Sequence, residues 1–331
     1  MKYNFTFFAL LSFCILTYSC NSKTTSNEAK PQEAYKKISP NFDSDSAYSY
    51  VAKQVNFGPR VPNTPQHTAC GDYLVAELKR FGADVTEQKS VVKAFDGKDL
   101  NMRNIIGSYA KDKQERVLLF AHWDTRPFAD QEADSSKYHS HILGANDAGS
   151  GVGVLLEIAR NLQLKAPNIG VDIIFFDAED YGTPSFVTDA PAGDWWCLGS
   201  QYWSKNPHQA GYNARFGILL DMVGAPNATF YKEGYSLKYA GDAVSKIWGT
   251  AYSLGYNTNF VNKQGGTITD DHVPVIMNRN IPSVDIIQFD ESTSSGFGWY
   301  WHTLSDDMSN ISKETLKAVG QTVMEVVYKE Q

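Results

Sequence analysis

Two stretches that set carboxylates against apolar runs constrain this chain more than any other feature of its sequence. Residues 171–176 read V-D-I-I-F-F and deliver Asp177, Glu179 and Asp180. Upstream, G-A-N-D-A-G-S-G-V places Asp147 in a glycine-rich loop that enters an apolar helix. An ionised carboxylate leaves water only at high cost unless it is paired, hydrogen-bonded or bound to a cation. A buried strand ending in three acids therefore requires a cation or a chemical step at that end.

The same arrangement recurs along the chain. Residues 117–121 form a short apolar strand ending in His122-Trp123-Asp124, residues 216–220 another ending in Asp221, and residues 283–288 a further strand. Residues 84–93 and 102–108 alternate polar with β-branched or apolar side chains, as half-buried strands do. Helical spacing covers residues 42–55, with Asp43 or Ser44 as cap, and residues 69–81, where Tyr73, Leu74, Leu78 and Phe81 share a face and Gly82 closes the end. Residues 150–162, 242–254 and 312–328 read as further helices, the last capped by Ser312. Strands alternating with helices predict an α/β fold: a single catalytic domain with a twisted, mostly parallel central sheet flanked by helices. Its 331 residues suffice for a well-buried core.

Ligands bind outside the carboxyl ends of the strands in such sheets. His122, Asp124, Asp147, Glu179, Asp180 and Asp221 all fall there. W-H-T at residues 301–303 arrives late, inside an aromatic and glycine-rich loop. Histidine and carboxylates without a thiolate suit Zn²⁺ better than Ca²⁺, which takes more oxygens. Each residue also has a plainer reading. Asp147 could cap the following helix, Glu179-Asp180 could be a solvated strand end, and His122 a hydrogen-bonded core histidine. Asp270-Asp271-His272 could be a turn followed by a strand. His67, His139, His141 and His208 sit in polar or loop surroundings and are given no role. Shared position at strand ends is what makes a joint accident improbable.

Together, H-W-D-T, G-A-N-D-A-G-S-G-V, F-F-D-A-E-D, L-L-D-M-V-G-A and the late W-H-T resemble the zinc aminopeptidase superfamily. Leu219 through Phe230, D-D-H-V-P-V at residues 270–275 and Trp301 before His302 resemble its glutaminyl-peptide cyclotransferase branch more narrowly. The resemblance runs from about Phe57 to the C-terminus. It implies the zinc aminopeptidase-like architecture and one catalytic zinc per chain, held by Asp147, Asp180 and His302. It further implies Glu179 as proton shuttle, Asp221 and Asp270 as inner acidic partners, and Trp301 and His272 as pocket residues. The expected substrates are peptides or proteins with an N-terminal glutamine. This sequence departs from the family pattern in two places. Asp180 stands where animal cyclases and most aminopeptidases carry glutamate, and the segment after it, through Asp189 to Cys197, is longer; there Trp195 or Trp196 is expected to supply a pocket wall.

The main alternative is a two-zinc aminopeptidase, in which His122 and Asp221 would hold a second ion together with bridging Asp147; in a cyclase His122 would be a remnant of that second site. A binding lipoprotein on a retired peptidase fold is weaker, because such a site should have lost a ligand or the base. Net charge −7 without a basic stripe excludes nucleic acid as a natural partner. Cys70 and Cys197 are the two cysteines of the mature body, and sequence leaves their pairing open.

The amino terminus is organised differently. Lys2 precedes an apolar run at residues 5–16, too short to span a membrane, followed by T-Y-S-C. Residues 1–20 read as a lipoprotein signal peptide with Cys20 as the lipidated residue, residues 21–40 as a flexible tether, and residues 41–331 as the catalytic domain. The protein is thus expected to be exported and anchored by lipid, facing the periplasm. Cys20→Ser is expected to move it from the membrane to the soluble fraction; a variant that stays membrane-bound, or a wild-type protein lacking acyl mass, contradicts the anchor.

Overall fold

The apolar runs become the centre of a six-stranded sheet in the computed structural model, which describes residues 1–3 and 35–331. The signal sequence beyond residue 3, the Cys20 lipid site and residues 21–34 of the tether lie outside the described residues. In chain order the elements are α1 (Ser44–Val55), α2 (Pro65–Arg80), β1 (Asp84–Lys93), β2 (Asp99–Tyr109), β3 (Arg116–His122), α3 (Gly149–Leu164), β4 (Gly170–Phe176) and α4 (Leu198–Lys205). They continue with β5 (Gly217–Asp221), β6 (Phe230–Lys232), α5 (Gly234–Ser253), β7 (Phe260–Gln264), α6 (His272–Arg279), β8 (Ser283–Ile287) and α7 (Lys313–Lys329). Sheet order is β1-β2-β4-β3-β5-β8, while β6 and β7 pair separately.

Strands β4, β3, β5 and β8 are parallel neighbours; β1 and β2 add an antiparallel hairpin at one edge, with β2 also antiparallel to β4. The sheet is therefore mixed. A tight turn joins β1 to β2, closed by Ala94 N–H donating to Lys98 O at 2.9 Å, and only antiparallel strands can be linked so briefly.

Alternation along the strands sorts the core into two layers. Leu119, Ala121, Ile173, Phe175, Ile218 and Leu220 join the large cluster that includes α1, α3, α5 and α7. Leu118, Phe120, Ile174, Phe176 and Leu219 pack with Trp203 of α4 and Val275 of α6 on the other face. Asp172, the one acid inside β4, is neutralised where it lies: Arg116 donates to it from Nε at 2.5 Å and Nη2 at 2.9 Å, with Ser108 and Tyr212 donating their hydroxyls. That pair closes the amino end of the strands, opposite the acidic edge. No helix among the described residues is long and apolar enough to cross a membrane.

Two expectations and one alternative reading change. The tether was expected to reach residue 40, yet the compact unit begins at Lys36. Ile38 and Ser39 donate their amides to the Glu325 carboxylate of α7, at 3.2 and 2.9 Å. The plainer reading of Asp270-Asp271-His272, a turn before a strand, does not hold: residues after Asp271 form α6, and Pro274 sits in its first turn, where a missing N–H costs nothing. Helix α5 starts at Gly234, well before residue 242, and is interrupted by a non-helical Ala240 (φ −137°, ψ 33°), so the sequence pattern marked only its second part.

Helix α3 lies directly on the sheet because Gly151 has no Cβ; one added there would sit 2.1 Å from Leu220 O of β5. This contact seats the helix start over the ends of β3 and β5, which sets Asp147 beside them. Gly151→Ala is expected to force α3 outward and lower the unfolding free energy by about 1–3 kcal/mol in urea titrations. A change below about 0.5 kcal/mol, the usual range of neutral surface substitutions, would contradict this packing.

Candidate active site

Three strand ends and three loops converge on one buried cluster. His122 closes β3, Asp147 precedes α3, Glu179 and Asp180 follow β4, and Asp221 ends β5. Asp270 comes from the segment before α6, and Trp301 and His302 come from the loop before α7. All but the half-buried Trp301 are buried.

Asp147, Asp180 and His302 each point one ligand atom into a common space, these atoms lying within 4.8 Å of one another. His302 Nε2 is 3.3 Å from Asp180 Oδ1 and 3.6 Å from Asp147 Oδ2. Ligands about 2.0–2.2 Å from a tetrahedral zinc are themselves roughly 3.3–3.6 Å apart. Buried Asp180 Oδ2 has no hydrogen-bond partner, as suits a carboxylate built to meet a cation. The three residues therefore fit zinc. A second group, His122, Asp147 and Asp221, also lies within 4.8 Å. There His122 Nε2 approaches Asp147 Oδ1 at 3.0 Å, a hydrogen-bond distance shorter than that ligand spacing, and stands 3.4 Å from Asp221 Oδ1.

Two further carboxylates fix the backbone behind these ligands. Asp124 accepts the amides of Glu179 and Asp180, both at 3.1 Å. Asp306 accepts those of Asn146 and Asp147, at 2.8 and 3.0 Å. Ala178, Met222 and His302 each hold a left-handed φ of 55°, 47° and 54°, conformations that cost about 1–3 kcal/mol and persist where the surroundings impose them. Sequence reading saw Asp124 at a strand end without a role and passed over Asp306; the signal was closeness along the chain to His122 for the first and to His302 for the second.

Electrostatics separates the acids. Burial pushes the Glu179 carboxyl well above the usual range; the negative charges of Asp270, Asp180 and Asp271 add to this, against the opposing pull of His122. Burial and Asp221 raise Asp270 to about 7, while burial and Asp147 raise Asp221 to about 6. Asp147 goes the other way: burial opposes ionisation, but His122 and His302 hold it charged. Cys197 donates its thiol to Glu179 Oε1 at 3.2 Å, and burial together with the surrounding acids keeps that thiol protonated. Cys70 and Cys197 are both buried and unpaired, which settles the question of a disulfide between them.

A cavity of about 230 Å³ opens onto the cluster, walled by Trp196, Met222, Ile287, Phe297 and Trp301. It is smaller than the ~300–1,000 Å³ of drug-sized sites and suits a single amino-acid residue. Trp301 stacks on His302 at 3.8 Å, and Trp196 lies parallel to the same imidazole at 6.2 Å. Trp195 and His272 are not in this wall. Trp195 turns away, donating to Pro191 O at 2.8 Å beside the cluster around Tyr181. His272 is fully buried behind Asp270, its Nε2 3.1 Å from Glu233, the carboxylate that caps α5. Its effect on the pocket is indirect, through the Asp270-Asp271 turn.

Known proteins align with this geometry. The chain is 24% identical to the glutaminyl-peptide cyclotransferase of Bos taurus over 294 residues, covering 78% of this chain and 74% of that protein. The crystal structure of a glutaminyl cyclase from Tannerella forsythia superposes with a TM-score of 0.87 at 56% identity, over 88% of this chain and all of that one. A Zn-dependent exopeptidase from Parabacteroides distasonis gives the same TM-score at 59% identity, again over 88% of this chain and all of the other. The profile of Peptidase family M28 matches residues 104–327. With more than half of its length matched, from the second strand to the last helix, the chain belongs to Peptidase family M28.

Proposed function

We propose that this chain is a zinc-dependent glutaminyl-peptide cyclotransferase, which closes the N-terminal glutamine of a peptide or protein into pyroglutamate and releases ammonia. The observation that carries the reading is 56% identity to a glutaminyl cyclase across the whole of that structure. Its physical counterpart is a small aromatic cavity around one well-spaced group of three zinc ligands and a buried glutamate.

One zinc per chain is part of the proposal, held by Asp147, Asp180 and His302. Bound there, it supplies Lewis-acid polarisation of the substrate's γ-carboxamide. The chain's own residues do the rest. Forming a five-membered ring is intramolecular, so the cavity mainly has to hold the glutamine with its α-nitrogen over the carbonyl carbon of its side-chain carboxamide. Glu179 takes a proton from the α-ammonium and returns it to the departing nitrogen, a task favoured by its raised pKa. Oxygens of Glu179 and Asp270 lie within 4.8 Å of each other, so a nitrogen between them can bond to both. Asp221 sustains that network through its charge on Asp270. Trp196, Phe297 and Trp301 keep out water, whose attack would yield glutamate instead.

The His122, Asp147 and Asp221 group favours one rival, a two-zinc aminopeptidase. Incubating the mature protein with glutaminyl and leucyl β-naphthylamides and counting zinc separates the two. Ammonia and a pyroglutamyl product with one zinc per chain support the cyclotransferase; naphthylamine from the leucyl substrate with two zincs contradicts it. Glu179→Gln is expected to lower kcat by about 10²–10⁴-fold with zinc retained. Loss of zinc in that variant would mean that base and ligand have been exchanged. Export and a lipid anchor on Cys20, facing the periplasm, complete the proposal; they are supported by the sequence of residues 1–20.

A further inference from the structure

Arg126 follows the H-W-D-T segment, and its guanidinium is buried, with a side chain 1% exposed. Three of its surfaces are used at once. Nε and Nη2 donate to the two oxygens of Asp130 at 2.7 and 2.9 Å, a fork-to-fork pair. Nη1 reaches Asp180 O at 3.1 Å and Asp180 Oδ1 at 3.4 Å. The guanidinium carbon stands 4.7 Å from the ring of Trp196. That ring also crowds Gly182, where an added Cβ would come within 2.1 Å of it, so a larger residue would displace the wall. Asp130, likewise buried, turns Oδ1 toward His302 Nδ1 at 3.5 Å while its Oδ2 accepts the Ser185 amide at 2.8 Å.

We propose that Arg126 and Asp130 are a positioning pair that couples the metal ligands to the substrate wall: Asp130 sets His302, and Arg126 sets Asp130, Asp180 and Trp196 together. The proposal rests on the cyclotransferase reading for the identity of the substrate, but not for the metal ligands it concerns. A carboxylate facing Nδ1 fixes the proton there and leaves Nε2 its lone pair for the ion, and removing such a partner weakens metal binding about 10–100-fold. Only a planar, multidentate cation serves a carboxylate fork, a backbone carbonyl and an aromatic face simultaneously; a lysine ammonium does not. The pair thus gives the site one rigid joint where ligand geometry and pocket shape meet. It also accounts for the long segment after Asp180, which brings Ser185 to Asp130 and Trp196 to Arg126.

The two residues separate in experiment. Zinc affinity is measured without substrate, by competition with a chromophoric chelator, and kcat and KM for glutaminyl β-naphthylamide are then measured at saturating zinc. Asp130→Asn, close in shape and still able to accept the Ser185 amide, is expected to weaken zinc binding about 10–100-fold with KM within about two-fold of wild type. Arg126→Lys is expected to weaken zinc similarly and also to raise KM about five-fold, as Trp196 loses the planar cation against it. Wild-type zinc affinity in Asp130→Asn overturns the proposal, and so does an unchanged KM in Arg126→Lys. Should Arg126→Lys not fold, as read by circular dichroism, the Asp130→Asn affinity decides alone. A wild-type protein that binds zinc but releases no ammonia contradicts the cyclotransferase reading and leaves the zinc test of this pair intact.

Discussion

Carboxylates packed at the carboxyl edge of a dry sheet repel one another and have lost their water, and the architecture of this protein answers that constraint. Asp124 and Asp306 are absorbed by pairs of backbone amides, and Asp130 by an arginine fork. His122 and His302 hold Asp147 ionised. Asp180 is left with an Oδ2 that meets no hydrogen-bond donor, as Asp221 is with its Oδ1, and Glu179 accepts a weak thiol donor at Oε1. Asp180 and Glu179 are the two that the proposed chemistry requires to be available, one toward a cation and one toward a proton.

The same constraint shapes the division between cyclisation and hydrolysis. A buried, raised glutamate serves either reaction as a base, so the base alone does not choose. The choice comes from the walls. Rings at 196, 297 and 301 wall a cavity of about 230 Å³, room for roughly one amino-acid residue. Left-handed turns at Ala178, Met222 and His302 bend the chain sharply at three of the converging segments, so that side chains from separate elements can face a single point.

Much of this was legible in sequence because it is local. Strand β1 matches residues 84–93, and the apolar runs before His122, Glu179 and Asp221 locate the strand ends to within a residue or two. The gathering of Asp147, Asp180 and His302 was implied by resemblance, and the geometry brings their ligand atoms together. What sequence did not reveal depends on contacts between distant segments. Nothing local tells that His272 turns inward to Glu233, that Trp195 bends back on Pro191, or that Asp306 reaches the amides before α3. Helix α6 was not marked in sequence because β-branched Val273 and Val275 fit a strand as well, whereas Pro274 in the first turn and burial of one face fit the helix.

We propose that one cation resolves the acidic edge, at Asp147, Asp180 and His302, while His122 Nε2 lies against Asp147 Oδ1 at 3.0 Å and Asp221 Oδ1 at 3.4 Å. Anomalous diffraction from crystals of the zinc-loaded protein, recorded on both sides of the zinc absorption edge, tests it most directly. A single peak within coordination distance of Asp147, Asp180 and His302 is the expected result. A second peak of comparable height between His122 and Asp221, or a single peak at that place instead, would contradict it.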